Sequence, residues 1–151
     1  MSLTEEPKTV TWPATHYAFV EAIGPFMTTA PETWQRAHAL LPALSLHNRI
    51  LGYMSLYKLG PNVYRAGFAL DAPPVELPEG LGYEEFAGGQ YSLFALTGPY
   101  SQLPAASGRA WQIVAERKIP IREDWAIENY VKDPRTTPPD QLVTEILIPT
   151  V

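Results

Sequence analysis

Cysteine is absent from this chain of 151 residues. Disulfides, thiol nucleophiles and zinc–thiolate sites are therefore excluded, and we expect a cytoplasmic protein. The chain also lacks an apolar run of the roughly 18–20 residues that a helix needs to span a bilayer, so no membrane partner is expected. Residues 1–6 contain neither the basic nor the apolar region of a signal peptide and are expected to form a frayed end.

Clustered positive charge is scarce as well. The chain carries 11 Lys and Arg against 16 Asp and Glu, which gives a net charge of −5, and the basic residues are scattered. Because phosphate backbones are bound by clusters of Lys and Arg, we expect no direct contact with nucleic acid. His, Asp and Glu form no metal-ligand pattern, so neither a metal nor another cofactor is expected.

The chain does contain an internal repeat. Tyr17 is followed seven residues later by Gly-Pro-Phe at 24–26, and Tyr91 is followed at the same interval by Gly-Pro-Tyr at 98–100. A Tyr-x-x-x-Pro pattern also occurs twice, at residues 57–61 and 130–134. Two copies of one module would build a pseudo-symmetric body with a groove along its seam, and function is expected in that groove.

Composition and repeat together predict the domain organisation. Hydrophobic residues make up 46% of the chain and charged residues 18%, which is typical of a globular protein. The length suits one domain. We therefore expect a single domain over residues 1–151, with pseudo-repeats of about residues 8–72 and 81–151.

Hydrophobic periodicity predicts the same element order, strand, helix, strand, strand, in both repeats. The first repeat has a predicted helix at 30–46 and predicted strands at 15–23, 50–59 and 63–71. The second has a predicted helix at 103–118 and predicted strands at 90–97, 125–132 and 142–151, preceded by an added strand at 81–87. Hairpins and single apolar helix stripes predict an α+β fold, an antiparallel sheet with both helices on one face.

One position breaks the symmetry of the repeats. Two residues before the equivalent Tyr57 and Tyr130 stand Ser55 and Glu128, respectively. Since residues two apart on a strand share a face, Glu128 is expected to project with Tyr130. Its neighbours along the strand are apolar or aromatic, so burial would raise the pKa of its carboxyl unless a cation or hydrogen-bond donors compensate. A fully exposed Glu128 would contradict this hypothesis.

These residues give the chain a resemblance to the GyrI-like small-molecule-binding family, also described as the bacterial transcription-activator effector-binding domain. The resemblance rests on Gly98-Pro99-Tyr100, on Glu128-Asn129-Tyr130 followed by Asp133-Pro134, and on the ending Thr144-Glu145-Ile146-Leu147-Ile148-Pro149. It implies a curved sheet with two main helices on one face, a ligand cleft between them, and Glu128 in that cleft. In multidrug-sensing relatives the matching carboxylate faces lipophilic cations.

The resemblance also bears on partners. The family's domain occurs alone or fused to DNA-binding domains of transcription regulators, and this chain resembles the stand-alone form. The family's name points to DNA gyrase as a possible protein partner. No residue of the sequence supports that partner independently.

The expected function is the binding of amphipathic, cationic or planar organic molecules, for multidrug or toxin sensing or for sequestration. Glu128 would supply the negative charge, and aromatic side chains would cover the apolar surface of the ligand. The candidate ligand contacts are Glu128, Tyr130, Tyr57, Tyr53, Phe68 and Trp111. Trp34 lies in the apolar helix stripe and is expected in the core.

Two alternatives remain open from the sequence. Some GyrI-like relatives are hydrolases of strained-ring genotoxic compounds, and Glu128 could then act as a general base with Tyr130 or Tyr57 as a donor. Haem binding would need an axial ligand, for which only His16, His38 and His47 are available. We expect these histidines to be exposed or satisfied by neighbouring groups.

Overall fold

The computed structural model describes residues 1–151, which divide into two compact units. The first unit is Pro13–Gly88, and the second combines Met1–Trp12 with Gly89–Val151. In chain order the strands are β1 (Ser2–Leu3), β2 (Lys8–Trp12), β3 (Thr15–Ile23), β4 (Ile50–Lys58), β5 (Val63–Leu70), β6 (Gly82–Phe86), β7 (Gly89–Thr97), β8 (Ala126–Tyr130) and β9 (Val143–Pro149). The helices are α1 (Phe26–Ser45) and α2 (Leu103–Glu116), with short 3-10 turns at Tyr100–Gln102 and Pro139–Gln141.

The α+β prediction is confirmed, since two helices accompany strands that pair in antiparallel fashion. The main difference concerns α1, which begins at Phe26 rather than at residue 30. Pro31 therefore lies inside the helix, in its second turn, and Pro42 does not prevent the helix from continuing to Ser45. The earlier start follows from the Gly-Pro pair, which ends the strand directly before Phe26.

The two Gly-Pro pairs have the same structural role. Gly24 and Gly98 both adopt positive φ angles, +144° and +146°, which side chains disfavour. A Cβ at Gly98 would also lie 2.6 Å from the side-chain oxygen of Gln102. The repeated motif thus turns the chain sharply from the first strand of each repeat into its helix, as the sequence predicts.

The first unit is a four-stranded antiparallel arrangement in the order β4-β5-β3-β6. The hairpin of β4 and β5 pairs Tyr53 with Phe68 and Tyr57 with Tyr64. Helix α1 packs on β3 and β5. Its buried side chains, which include Ala37 and Leu44, recur at helical spacing and cover one face of these strands.

In the second unit β9 lies between β8 and β7, and both β1 and β2 pair with β7. Helix α2 packs on β7 and β9. The buried core between them contains Phe94, Leu96, Ala106, Ala110, Ile113, Val114, Ile146 and Ile148. Glu128 pairs with Ile146 and therefore lies on the face of the sheet that α2 covers.

The leading strands of the two predicted repeats are exchanged. Strand β2 lies at the start of the first predicted repeat but pairs with β7 in the second repeat. Strand β6 was expected to belong with the second repeat but pairs with β3, the first strand of the first repeat. The units of the structure thus differ from the sequence repeats at their leading edges.

The expectation of a frayed start is wrong. Ser2–Leu3 pairs with β7. The backbone N–H of Thr4 donates to the carbonyl oxygen of Ala95, and the backbone N–H of Ala95 donates to Oγ1 of Thr4. Glu5 and Glu6 then form ion pairs at 2.8 Å and 2.9 Å with two arginines of the α2 region, Arg109 and Arg117. Backbone pairing with an edge strand therefore orders this segment.

Candidate functional site

Glu128 lies on β8 in the second unit, with its side chain partly buried. Its neighbours Ala126 and Ile127 are fully buried. The hydroxyl of Tyr130 donates a hydrogen bond of 3.0 Å to Oε1 of Glu128, as expected for residues on one face of a strand. The structure thus brings together two of the predicted site residues.

The electrostatics of Glu128 are unusual for a glutamate. Burial disfavours its charged form and raises the pKa from the ordinary value of 4.5 to about 7, although the hydrogen bond from Tyr130 acts in the opposite direction. No Lys or Arg forms an ion pair with it. The carboxyl group therefore changes charge close to neutral pH.

Tyr100 is a neighbour of this pair that the sequence reasoning missed. Its ring meets the ring of Tyr130 edge-on, with centroids 5.6 Å apart and planes at 72°. Burial and the nearby charge of Asp133 raise the pKa of the Tyr100 phenol. The signal was present in Gly98-Pro99-Tyr100, which we used as a repeat motif and as a family motif but from which we selected no site residue.

Thr144 is a second group that sequence reasoning did not select. It pairs with Tyr130 across β8 and β9, and so shares a face with Glu128 and Tyr130. Its side chain is fully buried, and its Oγ1 has no hydrogen-bond partner within the protein. Buried hydroxyls are normally paired, so this group is an exception that needs an explanation.

Trp111, the third predicted site residue of the second unit, lies on α2. It is partly buried and packs against the core that contains Ala110 and Ile146. Since Ile146 pairs with Glu128, the indole and the carboxylate border the same core.

In the first unit the position equivalent to Glu128 is closed by hydrogen bonds. Ser55 is fully buried, and its Oγ lies 2.6 Å from the hydroxyl of Tyr64. The indole Nε1 of Trp34 donates to both oxygens, at 3.1 Å to Ser55 and 3.0 Å to Tyr64. Trp34 is only partly buried rather than in the core as expected, and these hydrogen bonds give it a polar role that the helix stripe did not reveal.

The remaining predicted residues, Tyr53, Tyr57 and Phe68, belong to an aromatic cluster of the first unit. The rings of Tyr53 and Phe68 meet edge-on at 5.2 Å. Tyr57 meets Phe26 edge-on, with centroids 5.5 Å apart and planes at 71°. His38 lies against this cluster, 6.0 Å from Tyr53 and 6.3 Å from Phe68.

The two units can be compared position by position. Tyr57 pairs with Tyr64 on the neighbouring strand, as Tyr130 pairs with Thr144. Thr144 is therefore the counterpart of Tyr64, just as Glu128 is the counterpart of Ser55.

The helices align in the same way. Buried Thr33 and Ala37 of α1 match buried Ala106 and Ala110 of α2, at the offset that relates Ser55 to Glu128. On this alignment the counterpart of Trp34 is Ser107. The trio of Trp34, Ser55 and Tyr64 thus becomes Ser107, Glu128 and Thr144, and two large aromatic side chains are replaced by small hydroxyl residues.

The three histidines lie in different surroundings. Nδ1 of His16 is 2.7 Å from the hydroxyl of Tyr83, and Nε2 of His47 is 3.6 Å from Glu76. His38 packs against aromatic rings. No three His, Asp or Glu side chains are arranged to hold a metal ion. Neither helix is both long and apolar enough to cross a membrane.

Two solved structures of low sequence identity have the same fold. The C-terminal domain of EcmrR matches with a TM-score of 0.81 at 14% identity, over 100% of this chain and 99% of that one. SAV2435 bound to tetraphenylphosphonium matches with a TM-score of 0.75 at 13% identity, over 97% of this chain and 94% of the other.

A hydrolase from Listeria innocua shares the fold as well, with a TM-score of 0.63 at 12% identity, over 97% of this chain and 92% of its own. No curated protein matches the sequence. The family model described as the GyrI-like small molecule binding domain matches residues 5–151, nearly the whole chain. The chain therefore belongs to the GyrI-like family of small-molecule-binding domains.

Proposed function

We propose that this protein binds amphipathic organic cations, with the carboxylate of Glu128 as the counter-charge, and acts in the sensing or sequestration of such compounds. The observation that carries the proposal is the state of Glu128. Its carboxyl group is partly buried, accepts a hydrogen bond from Tyr130, and has no cation beside it. A bound cation would supply the missing charge.

The energetics favour this assignment. Burying a carboxylate without a positive partner destabilises the fold, and a protein retains such a group chiefly where it has a function. A cation beside Glu128 would recover part of that free energy in surroundings of reduced dielectric. Contact with an aromatic face would add about 0.5–2 kcal/mol.

The aromatic residues supply the apolar part of recognition. We assign Tyr130 and Trp111 to ligand contact together with Glu128, and we retain Tyr53, Tyr57 and Phe68 of the first unit as proposed contacts. Apolar ligand surface removed from water contributes roughly 25 cal/mol per Å². A relative of the same fold, SAV2435, was solved with tetraphenylphosphonium, a lipophilic cation, which supports the proposed ligand class.

The proposal is tested by titrating the protein with tetraphenylphosphonium and with neutral triphenylphosphine oxide in a calorimeter at about pH 8, where Glu128 is ionised. The cation should bind at least about tenfold more tightly than the neutral compound, and Glu128→Gln should remove most of this preference.

Glu145→Gln is the matched control. Glu145 is one position away in the same strand pair, on the opposite face of the sheet, and also partly buried. Its substitution removes the same charge and should leave the preference unchanged. Equal loss of cation binding in both variants would show that the effect depends only on the net charge of the protein, and it would refute a role specific to Glu128.

A hydrolase is the second candidate, favoured by the same carboxyl group. A general base works best when its pKa lies near the working pH, and burial brings Glu128 to about 7. Glu128 would accept a proton from water as the water oxygen forms a bond to a ring carbon and the strained ring bond breaks. The leaving ring atom would take a proton from the hydroxyl of Tyr130, and protonated Glu128 would then return a proton to Tyr130. Incubation with an epoxide or cyclopropane electrophile, followed by mass spectrometry, should reveal addition of one water; full turnover by Glu128→Gln would exclude Glu128 as the base.

A further inference from the structure

The buried hydroxyl of Thr144 points to a preference among cations. Glu128, Tyr130 and Thr144 project from one face of the β8–β9 pair. Oγ1 of Thr144 has no partner in the protein, although the residue is fully buried. Unpaired buried hydroxyls destabilise a fold, and valine would fill the position with nearly the same shape and no polar atom.

The other unit shows that this fold can satisfy the equivalent hydroxyl. The counterpart of Thr144 is Tyr64, whose hydroxyl lies 2.6 Å from Ser55 and accepts a hydrogen bond from Trp34. Every polar group of that trio has a partner within the protein. In the second unit the corresponding oxygen, Oγ1 of Thr144, has no partner within the protein, and Glu128 lies on the same face of the strand pair.

We propose that the site prefers protonated amines over quaternary cations, because an N–H group can donate to Glu128 and to Oγ1 of Thr144 at once. This inference rests on the proposed function, and it narrows the ligand class. A quaternary ammonium or phosphonium ion carries charge but no donor, so it would leave Thr144 unpaired.

The spacing of the two acceptors suits a single nitrogen. Diagonal positions on paired strands have Cβ atoms roughly 7–8 Å apart, and the longer side chain of Glu128 shortens the gap between the oxygens. A tetrahedral nitrogen that donates two hydrogen bonds of about 2.9 Å bridges oxygens roughly 4.5–5 Å apart. A primary or secondary ammonium group has enough N–H bonds to reach both, and a tertiary one can share its single N–H between them.

The test uses two ligands that differ only at the nitrogen, which carries three N–H groups in 4-phenylbenzylammonium and three methyl groups in 4-phenylbenzyltrimethylammonium. Dissociation constants are measured by calorimetry at about pH 8, where both are cations. The primary ammonium should bind about tenfold more tightly to the wild-type protein, the effect expected of one hydrogen bond to a charged donor.

Two variants at Thr144 separate the contributions. Thr144→Val should reduce the preference to about twofold or less while leaving the quaternary cation's affinity unchanged, and Thr144→Ser should keep the preference because it keeps the hydroxyl. In the ligand-free protein Thr144→Val should raise Tm, since it removes an unpaired hydroxyl, by about 2–4 °C. Equal affinities for the two ligands, or a drop in Tm for Thr144→Val, would overturn the inference.

Failure here is distinguishable from failure of the proposed function. If both cations bind equally and Glu128→Gln abolishes both, the cation site stands and the role of Thr144 is refuted. If neither cation binds more tightly than neutral 4-phenylbenzyl alcohol, the proposed function itself fails.

Discussion

The two units have equivalent strands and helices, but they differ in how the polar side chains at the equivalent positions are paired. In the first unit Ser55, Tyr64 and Trp34 bond to one another, and every polar group has a partner within the protein. In the second unit the equivalent position holds the carboxyl of Glu128, without a counter-charge, and an unpaired Thr144 hydroxyl. A duplicated module can thus keep one copy for stability while the other retains polar groups that a ligand can satisfy.

The two units differ in these polar groups but share an aromatic contact. Phe26 meets Tyr57 at 5.5 Å and 71°, and Tyr100 meets Tyr130 at 5.6 Å and 72°. Tyr57 in the first unit and Tyr130 in the second therefore each pack edge-on against an equivalent ring. The two units therefore differ in a few side chains on an otherwise repeated frame.

The largest effect is expected from giving the first unit the small side chain of the second. Trp34→Ser removes an indole that donates to Ser55 and Tyr64 and packs edge-on against Phe68. We expect the free energy of unfolding to fall by about 3 kcal/mol, as for other losses of large aromatic side chains. Urea denaturation measures it, and a loss below about 1 kcal/mol would show that the trio does not stabilise the first unit.

A pH-dependent effect is expected at Glu128. Its pKa is higher in the folded protein, about 7, than the ordinary 4.5, so the folded state holds the proton more tightly. Stability contributed by Glu128 is therefore present at low pH and is lost as pH rises from about 4.5 to 7. Glu128→Gln should be more stable than wild type by up to roughly 3 kcal/mol above pH 8 and equal to it near pH 4.

Denaturation at several pH values checks this expectation. Glu145→Gln, which removes one negative charge at a neighbouring position, is measured alongside as the control. A constant difference between Glu128→Gln and wild type at all pH values would contradict the elevated pKa.

A smaller effect is expected from the hydrogen bond of Tyr130. Its hydroxyl stabilises the charged form of Glu128, so Tyr130→Phe should raise the pKa of Glu128 further and weaken cation binding at neutral pH by about 3- to 10-fold. The midpoint of the binding-versus-pH curve should move upward. Tyr83→Phe, which removes a phenol bonded to His16, is the control and should leave that midpoint in place.

The smallest effect is expected where one unit already contains the variant residue. Tyr100→Phe copies Phe26 and keeps the edge-on contact with Tyr130, so the free energy of unfolding should change by no more than about 0.5 kcal/mol. Tyr100→Ala, which loses the ring, should be clearly less stable. Similar stabilities for the two variants would show that the ring contact is unimportant.

The sequence predicts those features that depend on local pattern. The strand Thr15–Ile23 and the hairpin of β4 and β5 follow from alternation and turn residues, and the Gly-Pro pairs mark the strand ends correctly. Glu128 could be singled out because a repeat provides an internal reference. Its position beside Tyr130 then follows from strand geometry alone.

The rest depends on pairing between distant segments. The exchange of β2 and β6 between repeats is not encoded in either short strand, since each alternates in the same way whichever partner it has. Thr144 resembles any threonine on a strand until its pairing with Tyr130 is known. The hydrogen bonds of Trp34 likewise require the distance between α1 and β4, which no sequence pattern supplies.

The most direct test of the account is the titration of Glu128 itself, followed by carbon-13 NMR of its side-chain carboxyl in the ligand-free and the cation-bound protein. We expect a pKa of about 7 without ligand and a clearly lower value with tetraphenylphosphonium bound, because the cation stabilises the carboxylate. A value near 4.5 in the ligand-free protein, or no change on addition of a cation that binds, would contradict it.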